Sequence, residues 1–137
     1  MKREGGLSRR EVRALCIKIL EQGLLGPIRN DDGLKAAIEA LEEIRERAIP
    51  RLMAKDHHDL AGAIGVENGV LFLELLGRCA RVRTESRGPH FREDHPDTEG
   101  SNWLRWVVAK KVGEEIRVRE EPIPFKEYPL QPKGAGA

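Results

Sequence analysis

The chain has 137 residues, enough for one domain with one sizeable core and too short for two independent ones. Charged residues make up 34% of it, yet 24 Lys and Arg nearly cancel 23 Asp and Glu, so the net charge is +1. That balance argues against a nucleic-acid module working by bulk positive charge, and the periodic recurrence of apolar residues argues against a disordered tail.

The opening residues, Met1 to Gly6, are charged and then Gly-rich and lack the apolar stretch of a signal peptide. Ser8-Arg9-Arg10-Glu11 fits a capping box, and Val12, Leu15, Cys16, Ile19 and Leu20 follow on one face at helical spacing. Gly23 and Gly26-Pro27 end this first helix. A second helix is predicted from Asn30-Asp31-Asp32, whose side chains suit a helix N-terminus. Leu34, Ala37, Ile38, Leu41, Ile44 and Ala48 form its apolar side, with Arg45 on an adjoining turn. Glu39, Glu42, Glu43 and Glu46 form its acidic side, and Pro50 stops or kinks it.

The third helix is predicted from Asp56 or Asp59 towards Arg83. It is apolar on most sides and so is expected to be the most buried of the three, with Val66, Val70 and Leu73 deep in the core. Ala61, Gly65 and Gly69 follow one another at i+4 spacing and read as a close helix contact. Glu67, Asn68 and Glu74 interrupt the run Leu60 to Leu76, which makes it too polar for a membrane span. The two cysteines, Cys16 and Cys79, give neither a disulfide framework nor zinc-finger spacing, and read as reduced, buried thiols.

Beyond Arg87 the composition shifts: five of the six aromatic residues and six of the eight prolines lie there. Trp103 to Lys111 and Glu115 to Arg119 read as two strands joined through Val112-Gly113-Glu114, followed by a Pro-rich extended tail. The fold class is therefore mainly α: a three-helix, up-down-up bundle followed by a C-terminal β-hairpin and extended tail. The expected organisation is a linker over 1–7, the bundle over 8–88, the loop, hairpin and extended segment packed on it over 89–128, and a flexible tail over 129–137.

The densest chemistry lies between Arg83 and Pro96. Arginines, carboxylates, His90 and His95 stand within a few residues of one another, enough to build an anion or acid/base site from Arg87, His90, Asp94 and His95. The competing reading is a helix C-terminus: Arg81 and Arg83 suit the negative end of the dipole, Gly88 can take the left-handed cap, and Pro89 blocks continuation. His57-His58 point about 100° apart on a helix and read as solvated cap residues, not metal ligands. Gly62, Gly65 and Gly69 lack dinucleotide-fingerprint spacing and lie inside a helix.

The string Thr84-Glu85-Ser86-Arg87-Gly88-Pro89-His90-Phe91-Arg92-Glu93-Asp94-His95-Pro96, followed by Asn102-Trp103-Leu104, resembles the C-terminal region of the flavoprotein subunit of succinate dehydrogenase and fumarate reductase. L-aspartate oxidase has a related ending. Upstream, Gly26-Pro27-Ile28-Arg29-Asn30 and the helix with Leu41, Ile44 and Arg45 also match, so the resemblance covers about residues 5 to 125. Pro89 replaces the family's usual alanine, and His95 stands where tyrosine is common.

The resemblance implies a spectrin-like three-helix bundle with a hairpin. It also implies an accessory domain of an FAD-dependent oxidoreductase that moves hydride between flavin and a dicarboxylate. The parts of the family that bind flavin and substrate precede this region, so the chain is expected to carry no catalytic, cofactor or metal site of its own and to be inactive alone. FAD would belong to the parent or partner. The expected partners are the flavin-binding and capping domains, on the same or a separate polypeptide, and an iron–sulfur subunit, without nucleic acid or direct membrane insertion. The expected location is cytoplasmic, or peripheral at the inner face of the membrane through partner subunits. Arg83, Glu85, Ser86, Arg87, Gly88, His90, Arg92 and Asp94 are expected to form an ordered latch towards the flavin-binding domain.

Overall fold

The computed structural model describes residues 6–113 and 115–129. Three helices come first: α1 (Arg9–Glu21), α2 (Asp31–Glu43) and α3 (His57–Val82). Between and after them lie β1 (Ile28–Arg29), β2 (Phe91–Arg92), β3 (Arg105–Val112) and β4 (Glu115–Pro122). The bundle followed by a hairpin is the expected fold class. Most of the expected tail over 129–137, and residues 1–5 of the expected linker, lie outside the described residues. Leu7 pairs with Leu52 and packs against the core.

α1 starts as its sequence dictates. Ser8 accepts from the Glu11 N–H while Glu11 accepts from the Ser8 N–H at 2.8 Å, a reciprocal capping box. Val12, Cys16 and Ile19 are buried, whereas Leu15 and Leu20, expected on the same face, are exposed. Asn30 caps α2 by accepting from the Gly33 N–H at 2.8 Å. Pro50 lacks an N–H, and its ring crowds the carbonyl four residues back. The helix answers with a π-turn over Ile44–Ala48, in which the Ile49 N–H reaches the Ile44 carbonyl, and then a 3-10 turn over Ile49–Arg51. The wider turn keeps Ile44 and Ala48 in the core.

α3 departs from expectation in four ways. It is not the most buried helix: only Ala63, Val70, Glu74, Gly77 and Ala80 are buried, and Leu60, Ile64, Leu71 and Phe72 face solvent. Val66 and Leu73 lie at the edge of the core, not deep inside it. The close helix contact is at Gly77, where an added Cβ would lie 3.1 Å from Ile38 and 3.3 Å from Leu25. At Gly65 and Gly69 it would meet nothing within 4 Å. α3 is also long and apolar enough, by length and composition, to cross a membrane, contrary to the sequence reading. Its one fully buried acidic residue, Glu74, is nevertheless committed to the bundle: it accepts from Arg45 at 2.9 Å and from Arg78 at 3.0 Å.

β3 and β4 form the expected antiparallel hairpin, in register from Arg105↔Pro122 to Val112↔Glu115. Gly113 opens the two-residue turn with φ +63°, a conformation that favours glycine. The hairpin packs on the C-terminal half of α3. β1 and β2 form a short parallel pair, Ile28↔Phe91 and Arg29↔Arg92, joining the α1–α2 connection to the segment after α3.

Candidate functional site

Where α3 ends, the chain has carbonyls without helical partners. Arg92 supplies them. Its side chain is 1% exposed, and its Nη1 donates to the carbonyls of Ala80 and Arg81, each at 3.1 Å, with Arg83 at 3.4 Å. Its other edge forms a fork on Asp94, at 2.7 and 2.6 Å. Asp94 in turn accepts from the Asp31 N–H at the start of α2. Asp31 takes a second fork from Arg81, at 2.9 and 3.1 Å. These guanidinium bonds hold the Asp94 carboxyl well below the usual carboxylate range and lower that of Asp31.

A second centre is Glu85, which has no exposed surface. Arg87 forks onto it at 2.9 and 3.1 Å, Arg83 bonds the same carboxylate, and the Glu99 N–H donates to it at 3.2 Å. Burial pushes the Glu85 carboxyl up, but the bonds and charges of Arg87 and Arg83 outweigh it and the net displacement is downward. Arg83 also lies over the Trp103 ring at 5.1 Å and reaches the carbonyls of Trp103 and Arg105, which ties the knot to the hairpin. Ser86, buried, accepts from the Arg92 N–H at 2.9 Å and donates to the His95 carbonyl at 2.8 Å. Gly88, at φ +56°, makes the turn that lets Arg87 and His90 pair back on one another.

The structure thus brings together all eight residues expected in the latch: Arg83, Glu85, Ser86, Arg87, Gly88, His90, Arg92 and Asp94. His95 contributes only its backbone, and its side chain is exposed. His57 and His58, at the start of α3, are exposed as expected of cap residues. Among the described residues no buried side-chain polar atom lacks a partner, and no group of three or more His, Cys, Asp or Glu is arranged to hold a metal.

Two further participants were not in the expected set. Arg29, on β1, donates its Nε to the Gly26 carbonyl at 2.7 Å and its Nη1 to His90 Nδ1 at 2.8 Å. His90 Nε2 lies 3.1 Å from the Arg83 carbonyl, which can only accept. The ring is therefore neutral, with its hydrogen on Nε2. Burial first, and then the charges of Arg29, Arg92 and Arg83, push the His90 ring below its ordinary value, with the Arg83 carbonyl acting in the opposite sense. The other missed residue is Asp31, read only as a helix cap. Nothing local marks either residue, because both act on groups about 50 to 60 positions away.

The sequence and the fold match known proteins. The family model described as "Fumarate reductase flavoprotein C-term" matches residues 18–135. The chain belongs to that family. An uncharacterized FAD-dependent oxidoreductase of Methanocaldococcus jannaschii is 40% identical over 83 residues, which is 61% of this chain and 15% of that protein. The L-aspartate oxidase of Streptomyces coelicolor is 30% identical over 105 residues, covering 73% of this chain and 17% of that enzyme. E. coli quinol fumarate reductase FrdA superposes on 96% of the chain and 23% of its own length, with a TM-score of 0.79 and 24% identity, which shows the shared fold. The chain thus spans about a sixth of the length of these curated relatives. Among the described residues β1 is two residues long, and Gly62, Gly65 and Gly69 lie within α3.

Proposed function

We propose that this chain is the helical accessory domain of an FAD-dependent oxidoreductase of the succinate dehydrogenase and fumarate reductase type. Its role is structural and docking, and it has no flavin or dicarboxylate site of its own. The observation that carries the reading is the outer face of α3. Leu60, Ile64, Leu71 and Phe72 stand exposed on that helix, Phe72 at 64%, and none of the described residues covers them. The relatives are about six times longer than the region they share with this chain, which supplies the polypeptide that would cover that face. The proposed partner is the flavin-binding and capping half, on the same or a separate chain. An iron–sulfur subunit and a cytoplasmic or peripheral inner-membrane location belong to the same proposal.

The alternative, a stand-alone anion-binding module or acid/base enzyme, would use Arg87, His90, Asp94 and His95, and of these only the exposed His95 side chain stands outside the knot. Arg87 is forked on Glu85, Asp94 on Arg92, and His90 is held between Arg29 and the Arg83 carbonyl.

Two measurements test the reading. After incubation with FAD and desalting, the chain retains no flavin absorbance; stoichiometric retention overturns the absence of a flavin site. In a binding titration, the Methanocaldococcus jannaschii relative, shortened to remove the region aligned with this chain, associates with the parent. It associates at least tenfold more weakly with a Leu71→Asp, Phe72→Asp variant. Association indifferent to those changes overturns the α3 docking face.

A further inference from the structure

A recess of about 510 Å³ lies between the C-terminal half of α3 and β3. Leu76, Ala80, Trp106 and Val108 give it apolar walls; Arg29, Arg83, Arg105 and His90 give it charge and polarity; no carboxylate lines it. Two of these arginines have acidic partners elsewhere, Arg83 with Glu85 and Arg105 with Glu120. Arg29 differs from every other arginine of the knot. Arg81 has Asp31, Arg83 and Arg87 share Glu85, and Arg92 has Asp94, whereas Arg29 has no carboxylate among the described residues. Its only bonds there are to two neutral acceptors, Gly26 O and His90 Nδ1. A partly buried guanidinium so held has given up water without gaining an opposite charge, and burial lowers its proton affinity accordingly.

We propose that this recess is a carboxylate-binding site in which Arg29, aimed by His90, makes the ion pair. A guanidinium can bind a carboxylate through two parallel bonds, and the apolar walls offer contact to the carbon chain that carries it. His90 is a positioning residue. Its Nε2 hydrogen is engaged by the Arg83 carbonyl, so Nδ1 is left as an acceptor that fixes the Arg29 plane. The carboxylate comes from a small free acid or from an acidic side chain of the flavin-binding half. Only the second source rests on the docking reading.

Acetate is the free-acid probe, read by NMR of the arginine Nε–H and indole N–H signals in the whole chain, with chloride at matched ionic strength as control. The shortened Methanocaldococcus jannaschii relative is the polypeptide probe. The expected result is a saturable shift, with one of them, of the Arg29 Nε–H signal and of the indole N–H signal of Trp106, which lines the recess; the Trp106 shift is lost in Arg29→Gln. In Arg29→Lys it is weakened at least tenfold, since an ammonium keeps the charge but not the fork. Melting curves accompany each variant, and Arg29→Lys serves where Arg29→Gln does not fold. Saturation by acetate without polypeptide binding keeps the site, assigns it to free acids and overturns the docking reading. Polypeptide binding lost in the Arg29 variants, without acetate saturation, assigns the site to an acidic side chain. Polypeptide binding equal in parent and variants, with no acetate saturation, overturns the site and leaves the docking reading standing. Silence with both probes overturns both.

Discussion

Arg92 and Arg87 sit five residues apart in the same knot, yet they differ in what their loss removes. Arg92 is buried and satisfies carbonyls at the end of α3 as well as Asp94. Arg92→Met leaves those carbonyls without their side-chain donor and the Asp94 charge with only the Asp31 N–H, and should cost about 3–5 kcal/mol, the range for breaking a buried ion pair. Arg87 is partly exposed, and Arg83 remains on Glu85 when it is gone. Arg87→Ala should therefore cost only about 1–2 kcal/mol, since a charged hydrogen bond is partly replaced by water. Urea denaturation of both variants checks the order; equal losses would show that Arg92 is not the residue that closes α3. At this scale the sequence was legible wherever partners are close along the chain. Ser8 with Glu11 could be read directly, while for Arg87 the neighbouring carboxylates Glu85, Glu93 and Asp94 were all within reach and the structure selects Glu85. Glu74 could not: a lone acidic residue in an apolar run looks like an interruption until Arg45, 29 positions away, is seen beside it.

The elements show where periodicity runs out. Helix spacing placed α1, α2 and α3 well, because capping residues and prolines act locally. It misplaced the burial of α3, because apolar residues count alike whether this chain or another molecule covers them. The glycine ridge failed for the same reason. Gly65 and Gly69 have helical spacing but open surroundings, and Gly77, unremarked in the pattern, is pressed against Ile38 and Leu25. The expected overpacking at Gly69 therefore reverses. Gly69→Ala should stabilise by about 0.5–1 kcal/mol, because alanine favours helix and has room. Gly77→Leu should destabilise by about 1–3 kcal/mol through overpacking. Chemical denaturation of the pair decides it: destabilisation by both variants would mean that the α1–α3 face closes over Gly69 in solution.

For the whole molecule, the knot joins the α1–α2 connection, the end of α3 and the base of the hairpin, so its ionisation should govern how the fold responds to acid. His90 is the first group to act. Burial disfavours its charged form, and Arg29 on β1, Arg92 on β2 and Arg83 after α3 add positive charge around its ring. Its folded value therefore lies below that of an unfolded histidine, about 6.5. As pH falls through that value the unfolded chain takes up a proton that the folded chain refuses, so stability is complete above it and declines below. Asp31, Glu85 and Asp94 are also held below their ordinary values, but for the opposite charge. Their stabilisation is present above about pH 4 and is lost as the unfolded chain protonates beneath it. The melting temperature should thus be level from pH 8 to 7, decline gently below about 6.5 and fall steeply below about 4. His90→Gln should remove the first decline and keep the second, because glutamine can accept from Arg29 and donate to the Arg83 carbonyl without titrating. Asp94→Asn should lower the plateau at neutral pH and soften the steep fall. A His90→Gln profile that keeps the decline below pH 6.5 would show that His90 is not the group whose protonation causes it.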